Sequence, residues 1–319
     1  MGKDQINILI GSDIKYAPYY GVMLTSLFEN NKESQFDIYL LTDNSWTKKA
    51  TKKFEKLCAN HNSRFFMRVI DDETMKVCPL NPHNHISRST YYRLMAATLL
   101  PDTIDKILYL DGDMVVRGEI RDLWNYDLHG KAIAGVADSL HYDDETYSRL
   151  GFDKKYGYFN AGVELINLKY WREKQVSRLA ISFIESHQDN LPLMDQDTIN
   201  AVLADVKAFL PICYNFQTMY LTKYFSKNFT PAFMEDVLAN SKHPVIIHYN
   251  GGIKPWHWRY YGLPYQKEWD AAYKASPWHH ARIQRPWGKH LKNLVKRATN
   301  KQSYLNDCRE QYIMEVLHL

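Results

Sequence analysis

The sequence predicts an α/β fold, a mostly parallel sheet with helices on both faces, and two observations predict it. Short runs rich in Ile, Leu and Phe alternate with longer stretches of helical periodicity, the order that builds βαβ units. Several of the apolar runs lead directly into Asp, at Asp13, Asp43, Asp71 and the pair Asp111/Asp113. Open parallel sheets place ligands just beyond the carboxyl ends of their strands, so some of these acids are expected to meet in one crevice.

In chain order, "INILIGSD" (6–13) reads as a buried strand ending in a turn, and "YAPYYGVMLTSLFENN" (16–31) as a helix through Tyr20, Met23, Leu24, Leu27 and Phe28. "FDIYLLTDN" (36–44), "SWTKKATKKFEKLCANH" (45–61) and "SRFFMRVID" (63–71) continue as strand, helix and strand. After a loop rich in Pro, Asn and His (79–88), "STYYRLMAATLLP" (89–101) predicts a helix and "DKILYLDGD" (105–113) the next strand. "KAIAGVAD" (131–138) is a further strand, and the polar stretch 139–158 suits a flexible lid. Residues 159–187 predict a turn at Asn160-Ala161-Gly162, a strand and one long amphipathic helix. "MDQDTINAVLAD" (194–205) is a helix with an acidic start, and "HPVIIHYNGGIKPWHWRYYG" (243–262) a short strand followed by a Gly- and Trp-rich loop.

The chain has 319 residues, a soluble globular composition and no run of eighteen apolar residues. Residues 1–10 lack the apolar length and small-residue cleavage site of a secretory signal, so a cytoplasmic protein is expected. Cys58, Cys78, Cys213 and Cys308 are scattered, which suggests neither a disulfide framework nor a structural zinc site. The net charge of +4 is localised: from Trp278 to Leu305 there are seven Lys or Arg and no acid. The rest of the chain is net negative.

In an extended segment, residues i and i+2 point to the same side, roughly 6.5–7 Å apart. Asp111 and Asp113, with Gly112 between them, can therefore reach one hard divalent cation whose remaining ligands are phosphate oxygens. A turn after a strand explains the same residues more simply. His248 ends another apolar strand and suits Mn²⁺ better than Mg²⁺, although a hydrogen-bonding role is the commoner fate of such a residue. Gly251, Gly252 and Lys254 follow in a loop whose N–H groups and ammonium could hold a diphosphate.

"ILYLDGDMVV", "YFNAGVELINL", "MDQDTIN" and "HYNGGIKPWH", in this order, resemble glycosyltransferase family 8, the group of bacterial lipopolysaccharide galactosyl- and glucosyltransferases and glycogenin. The resemblance covers roughly residues 6–260. It implies a GT-A fold, with Asp111 and Asp113 as the D-x-D pair and His248 as the third Mn²⁺ ligand. It further implies that Gly11, Ser12, Asp13 and Tyr16 line the uridine pocket, that His85 and Arg93 lie near the nucleotide sugar, and that Asp138, Asn160, Ala161 and Gly162 surround the hexose. Asp195 and Gln196 would face its reactive side, and Gly251 and Lys254 would bind the diphosphate. Ile14 and Lys15 depart from the family pattern, in which another acid or an Asn often follows Asp13.

Simpler roles exist for most of these residues. Ser12 and Asp13 suit a cap of the first helix, Asp195 a cap of the helix through "QDTINAVL", and Arg93 an ion pair inside the fold.

The reaction implied is metal-dependent, retaining transfer of glucose or galactose from a UDP-sugar to a hydroxyl of a glycan or lipid-linked acceptor. Gln196 is a weak nucleophile, so attack on the face that the diphosphate leaves is favoured over a covalent intermediate on Asp195 or Asp197. A glycogenin-like self-glucosylating protein and a non-catalytic nucleotide-sugar-binding regulator are the alternatives. The expected organisation is a transferase domain over 1–265 and a basic amphipathic helical extension over 266–319. In the latter, Trp287, Leu291, Leu294, Val295 and Ala298 recur at helical spacing, with Lys289, Lys292, Lys296 and Arg297 largely elsewhere. Such a helix can lie on an anionic membrane surface, here the inner face of the cell membrane, or pack on the domain with a solvated basic face. Nothing supports a nucleic-acid partner.

Overall fold

The computed structural model describes residues 5–71, 73, 75–79, 87–257, 263–280 and 311–313. Ten strands are present among them: β1 (Gln5–Gly11), β2 (Gln35–Thr42), β3 (Arg64–Val69), β4 (Lys106–Leu110), β5 (Met114–Val116), β6 (Ile133–Ala137), β7 (Phe159–Asn167), β8 (Lys207–Phe209), β9 (Phe216–Gln217) and β10 (Ile246–His248). Seven form the main sheet in the order β3-β2-β1-β4-β7-β6-β8. The pairs β1/β2, β2/β3, β1/β4 and β6/β8 are parallel, whereas β7 runs antiparallel to both β4 and β6.

The chain winds outward from β1 to β3 and then crosses back to place β4 on the other side of β1. Between the ends of β1 and β4, the connections leave in opposite directions and open a crevice. Asp13 and Asp111 follow those two ends. Successive residues of β1 alternate between the two faces: Ile8 and Ile10 enter one core, Leu9 the other. This is the consequence of a strand period of two in a sheet covered on both sides.

A second sheet, β5-β10-β9, pairs β10 antiparallel to β5 and parallel to β9. The helix Ala17–Asn30 is buried over most of its circumference, because it packs against both β5 and the helix Gln266–Ala275. Gly21 is required there, since a Cβ would lie 2.2 Å from the Trp278 ring. Trp269, Trp278 and Tyr312 are buried in the same core as β1. No helix among the described residues is long and apolar enough to cross a membrane.

Four local expectations are revised. Residues 89–101 do not form one helix: a 3₁₀ stretch, Arg88–Met95, precedes a single α turn, Ala96–Leu99. Packing against β1, β2 and the helices Val176–Ser186 and Met194–Val202 buries the run Tyr91, Tyr92, Arg93 and Leu94. The polar stretch 139–158 is anchored instead of forming a free lid. It contains the helix Asp144–Leu150, capped by Asp143 and ended by Gly151 at φ +71°, and Arg149 forks onto Asp197 at 3.0 and 3.1 Å. Asp143, Asp153 and Arg149 serve caps and an ion pair, while Asp144, Glu145 and Lys155 stay exposed.

The long helix after β7 breaks into Leu168–Glu173 and Val176–Ser186, with Gln175 at φ +53° between them. Asn160, Ala161 and Gly162 belong to β7 and not to a turn. There the β6 pairing jumps from Gly135↔Glu164 to Val136↔Asn160. The residues between lose their β6 partners, and a bulge of this kind re-aims side chains.

Lys207 carries the clearest pH signature of the fold. Its ammonium is buried with no carboxylate partner among the described residues, donates to Asn200 O and Oδ1 at 3.1 Å, and lies 4.6 Å from the Phe152 ring centre. Burial lowers its pKa to about 7. The unfolded chain holds the proton more tightly, so stability is expected to rise as pH increases from about 7 towards the ordinary lysine range near 10. Urea unfolding of Lys207→Met should show a flatter profile over that interval. An unchanged rise would assign it to another group.

Candidate active site

The two sheets meet at Asp111-Gly112-Asp113. Asp111 extends the β4 pairing, its N–H donating to Gly162 O at 2.9 Å. Asp113 leads into β5, and its carbonyl accepts the Tyr249 N–H at 2.9 Å. A Cβ on Gly112 would lie 3.0 Å from the Tyr20 ring, so space as well as the turn selects glycine. The β5/β10 register pairs Met114 with His248, which delivers the imidazole beside Asp113. Gly162 leaves room for it, because a Cβ there would sit 2.4 Å from His248 Cε1.

Ligand atoms of Asp111, Asp113 and His248 all lie within 4.8 Å of one another. His248 Nε2 is 3.3 Å from Asp113 Oδ1 and 3.9 Å from Asp111 Oδ2. Two carboxylates and an imidazole nitrogen converging on one point are a donor set that fits a divalent cation, with the nitrogen favouring Mn²⁺. Asp113 is buried, which pushes its carboxyl up, but the Lys254 ammonium and His248 outweigh this and hold it below the usual range. Lys254 Nζ bonds Asp113 Oδ2 and donates to Tyr249 O.

Arg93 is the hub beneath the candidate metal ligands. It is only 2 % exposed, with its guanidinium carbon over the Tyr109 ring at 3.7 Å. Its Nη2 donates to Asp111 Oδ1 at 2.9 Å, its Nη1 to Ala161 O, and Glu164 Oε2 lies 3.8 Å away. Nε is 2.9 Å from Asp195 Oδ2 but directs its hydrogen to Thr90 O at 3.2 Å, so the Asp195 contact is an ion pair without a hydrogen bond. Burial raises the Asp195 carboxyl to about 6, against the pull of Arg93. Burial likewise raises Glu164, on which no hydrogen bond falls.

On the other side of the imidazole lies a hydrogen-bonded cluster. Asp138 Oδ2 accepts Asn160 Nδ2 at 2.8 Å and Gln196 Nε2 at 3.3 Å, while Oδ1 accepts the Leu140 N–H at 2.8 Å. Burial raises the Asp138 carboxyl despite these bonds. Gln196 Oε1 accepts the Ala161 N–H at 3.0 Å and Asn160 Nδ2 at 3.1 Å. Its lone pairs are thus already engaged.

Among the remaining expected residues, Asp13 does not cap the first helix, whose cap position is Tyr16 without a side-chain bond; it closes the turn before it, Oδ1 accepting the N–H groups of Lys15 and Tyr16 at 2.9 and 3.1 Å. That turn uses one carboxylate oxygen and does not require the other. Ser12 is fully buried, its hydroxyl donating to Asp13 O, and Gly11 ends β1 with Ser89 O 3.1 Å from where a Cβ would be. Tyr16 packs edge-on against Tyr19 and Trp256. Gly251 has φ +96° and a Cβ there would lie 2.9 Å from Met219 Sδ, so the loop before Lys254 needs glycine. Asp195 is no helix cap; Asp197 Oδ2 accepts the Leu193 N–H instead. His85 lies outside the described residues.

Sequence reasoning missed Asn215, Tyr109, Thr90 and Glu164. Only Glu164, a lone charge within an apolar strand, left a signal that could have been read.

Fold and site together define a glycosyltransferase of the GT-A fold. Residues 7–259 match the family described as Glycosyl transferase family 8, and the chain belongs to that family. It is 33% identical over 275 residues to a lipopolysaccharide 1,2-glucosyltransferase of Escherichia coli K12, covering 86% of this chain and 79% of that one. A lipopolysaccharide 1,3-galactosyltransferase of Salmonella typhimurium is 28% identical over 310 residues, 94% of this chain and 88% of that protein. The crystal structure of galactosyltransferase LgtC in complex with donor and acceptor sugar analogs superposes with TM-score 0.76 and 25% identity, over 86% of this chain and 99% of that one.

Proposed function

We propose that this protein transfers glucose or galactose, with retention, from a UDP-sugar to a hydroxyl of a lipopolysaccharide-type saccharide acceptor, with Mn²⁺ held by Asp111, Asp113 and His248. The observation that carries this reading is the convergence of those three side chains at the β1/β4 crevice. A bound divalent ion would supply Lewis-acid neutralisation of the diphosphate leaving group.

The protein's own residues do the rest. Lys254, beside Asp113, adds a cation that interacts more strongly with the departing diphosphate than with the intact donor. Asp13 and Tyr16 hold the uracil, and Gly251 lets the backbone approach the diphosphate. Asp138, Asn160, Ala161 and Gly162 orient the hexose. Arg93 contributes by holding Asp111 and Asp195 in place.

Gln196 Oε1, with two donors on it, is a poorer nucleophile than a free amide. That supports front-face attack, with the acceptor proton passing to a phosphate oxygen. Mass-spectrometric trapping of a glycosyl adduct on Asp195 or Asp197 would overturn this choice.

A panel of UDP-sugars with Mn²⁺, scored for slow hydrolysis without acceptor, tests the reaction class and the donor together. Turnover of UDP-glucose or UDP-galactose is expected; UDP binding without turnover of any donor would favour a non-catalytic regulator.

The basic segment is proposed to hold the protein on an anionic membrane surface, the inner face of the cell membrane. Its residues 281–310 lie outside the described residues. Trp278 and Tyr312 are buried in the main core, so truncation would disturb the fold and charge substitution is the cleaner test. Replacing Lys289, Lys292, Lys296 and Arg297 by Gln should weaken binding to vesicles containing phosphatidylglycerol by about 1 kcal/mol per charge. Unchanged binding would remove the segment from this role.

A further inference from the structure

We infer that Asn215 is a positioning residue that keeps the His248 proton on Nδ1 and ties the metal-binding imidazole to the cluster of Asp138, Asn160 and Gln196. The chain of donors begins at the backbone N–H of Gly162, which can only donate and lies 3.0 Å from Asn160 Oδ1. That atom of Asn160 is therefore an acceptor. The other end of the amide, Nδ2, accordingly faces the Asp138 carboxylate at 2.8 Å.

The atom of Asn215 that is 2.9 Å from Asn160 Oδ1 must then be its NH₂. Its oxygen is turned to His248 Nδ1, 3.0 Å away. An amide oxygen carries no proton, so Nδ1 supplies it and Nε2 presents its lone pair to the gap between Asp111 and Asp113. The placement follows from strand pairing, because Asn215 immediately precedes β9 and the parallel β9/β10 register pairs Gln217 with His248. Asn215 is completely buried, which leaves no solvent to take over either bond.

The same amide thus reaches in both directions. Groups behind a metal-binding histidine set its tautomer and basicity, and losing them costs about 10–100-fold in metal affinity. The bond to Asn160 adds registration: any rotation of the imidazole is felt by the residues proposed to surround the hexose. This assignment rests on the metal reading above.

The test uses the full chain with UDP, measuring Mn²⁺ affinity from the electron paramagnetic resonance of free Mn²⁺. Asn215→Leu should lower affinity about 10–100-fold. Asn215→Asp keeps an acceptor for Nδ1 but loses the donor to Asn160. It should stay within about threefold of the unaltered affinity while kcat falls roughly tenfold.

In a His248→Ala background, Asn215→Leu should change Mn²⁺ affinity by no more than about twofold, since the two act as one unit. Equal losses in both backgrounds, or no loss in either, overturn the assignment. Imidazole ¹⁵N shifts of the unaltered metal-free protein give a measurement independent of variant folding. An Nδ1–H tautomer of His248 is expected, and Nε2–H overturns the proposal. If the unaltered chain binds no Mn²⁺ with UDP present, the metal reading fails, and the coupling to metal affinity fails with it. The tautomer result then still judges the Asn215–His248 bond.

Discussion

Asp113→Asn is expected to reduce transfer by roughly 10²–10³-fold, the range seen when one preorganised electrostatic partner of a developing charge is removed. The substitution is nearly isosteric, but it deletes the charge on which His248 and Lys254 converge. Asparagine would offer the Lys254 ammonium a neutral amide oxygen in place of a carboxylate, a weaker hold beside Tyr249 O. The fold should tolerate the change, because the backbone carbonyl of Asp113, not its side chain, pairs with Tyr249. Transfer and UDP-sugar hydrolysis at saturating Mn²⁺ would measure the loss, with Mn²⁺ affinity falling in parallel. Near-normal turnover by Asp113→Asn would sink the metal grip as the centre of the reaction.

Arg93→Met should be the most destabilising substitution beside the site, at about 3–5 kcal/mol, because it strands buried charge instead of removing a balanced pair. The guanidinium touches Asp111, Asp195 and, more distantly, Glu164. Lysine cannot replace its planar fork, so Arg93→Lys should recover only part of the stability.

The loss should depend on pH. Burial already raises both Asp195 and Glu164, and removing their cation raises them further. A carboxyl whose folded pKa lies above its unfolded value stabilises the fold when protonated, and that stability is lost as pH rises through the folded pKa. The deficit of Arg93→Met should therefore be smaller near pH 5 than near pH 8. Thermal unfolding at both values checks it. Equal deficits at the two pH values would mean that Arg93 acts through packing on Tyr109 alone.

Much of the site was legible in one dimension, for a reason rooted in strand geometry. Asp111 and Asp113 are two residues apart after an apolar run, and His248 ends another such run; strand ends in an open sheet are where the chain leaves the core and polar groups can converge. Arg93, Asp138, Asn160 and Gln196 entered through family resemblance, and the tertiary structure then showed their partners. Asn160-Ala161-Gly162 looked like a turn because Asn and Gly are turn residues, yet it lies on β7, where an irregular register supplies the freedom that a turn would have given. The polar stretch 139–158 looked mobile because local composition does not reveal that Arg149 finds Asp197, 48 residues away.

By itself the sequence determined the alternation of strands and helices, the family and the identity of the three candidate metal ligands. Each of these is written in local periodicity or in a short motif. Only the tertiary structure decided that Arg93 is shared among three acids, that Gln196 has its carbonyl engaged, and that Asn215 lies 3.0 Å behind the imidazole. Those facts depend on pairings between segments tens of residues apart, and hydrogen-bond direction inside a buried network exists only once every donor has met its acceptor.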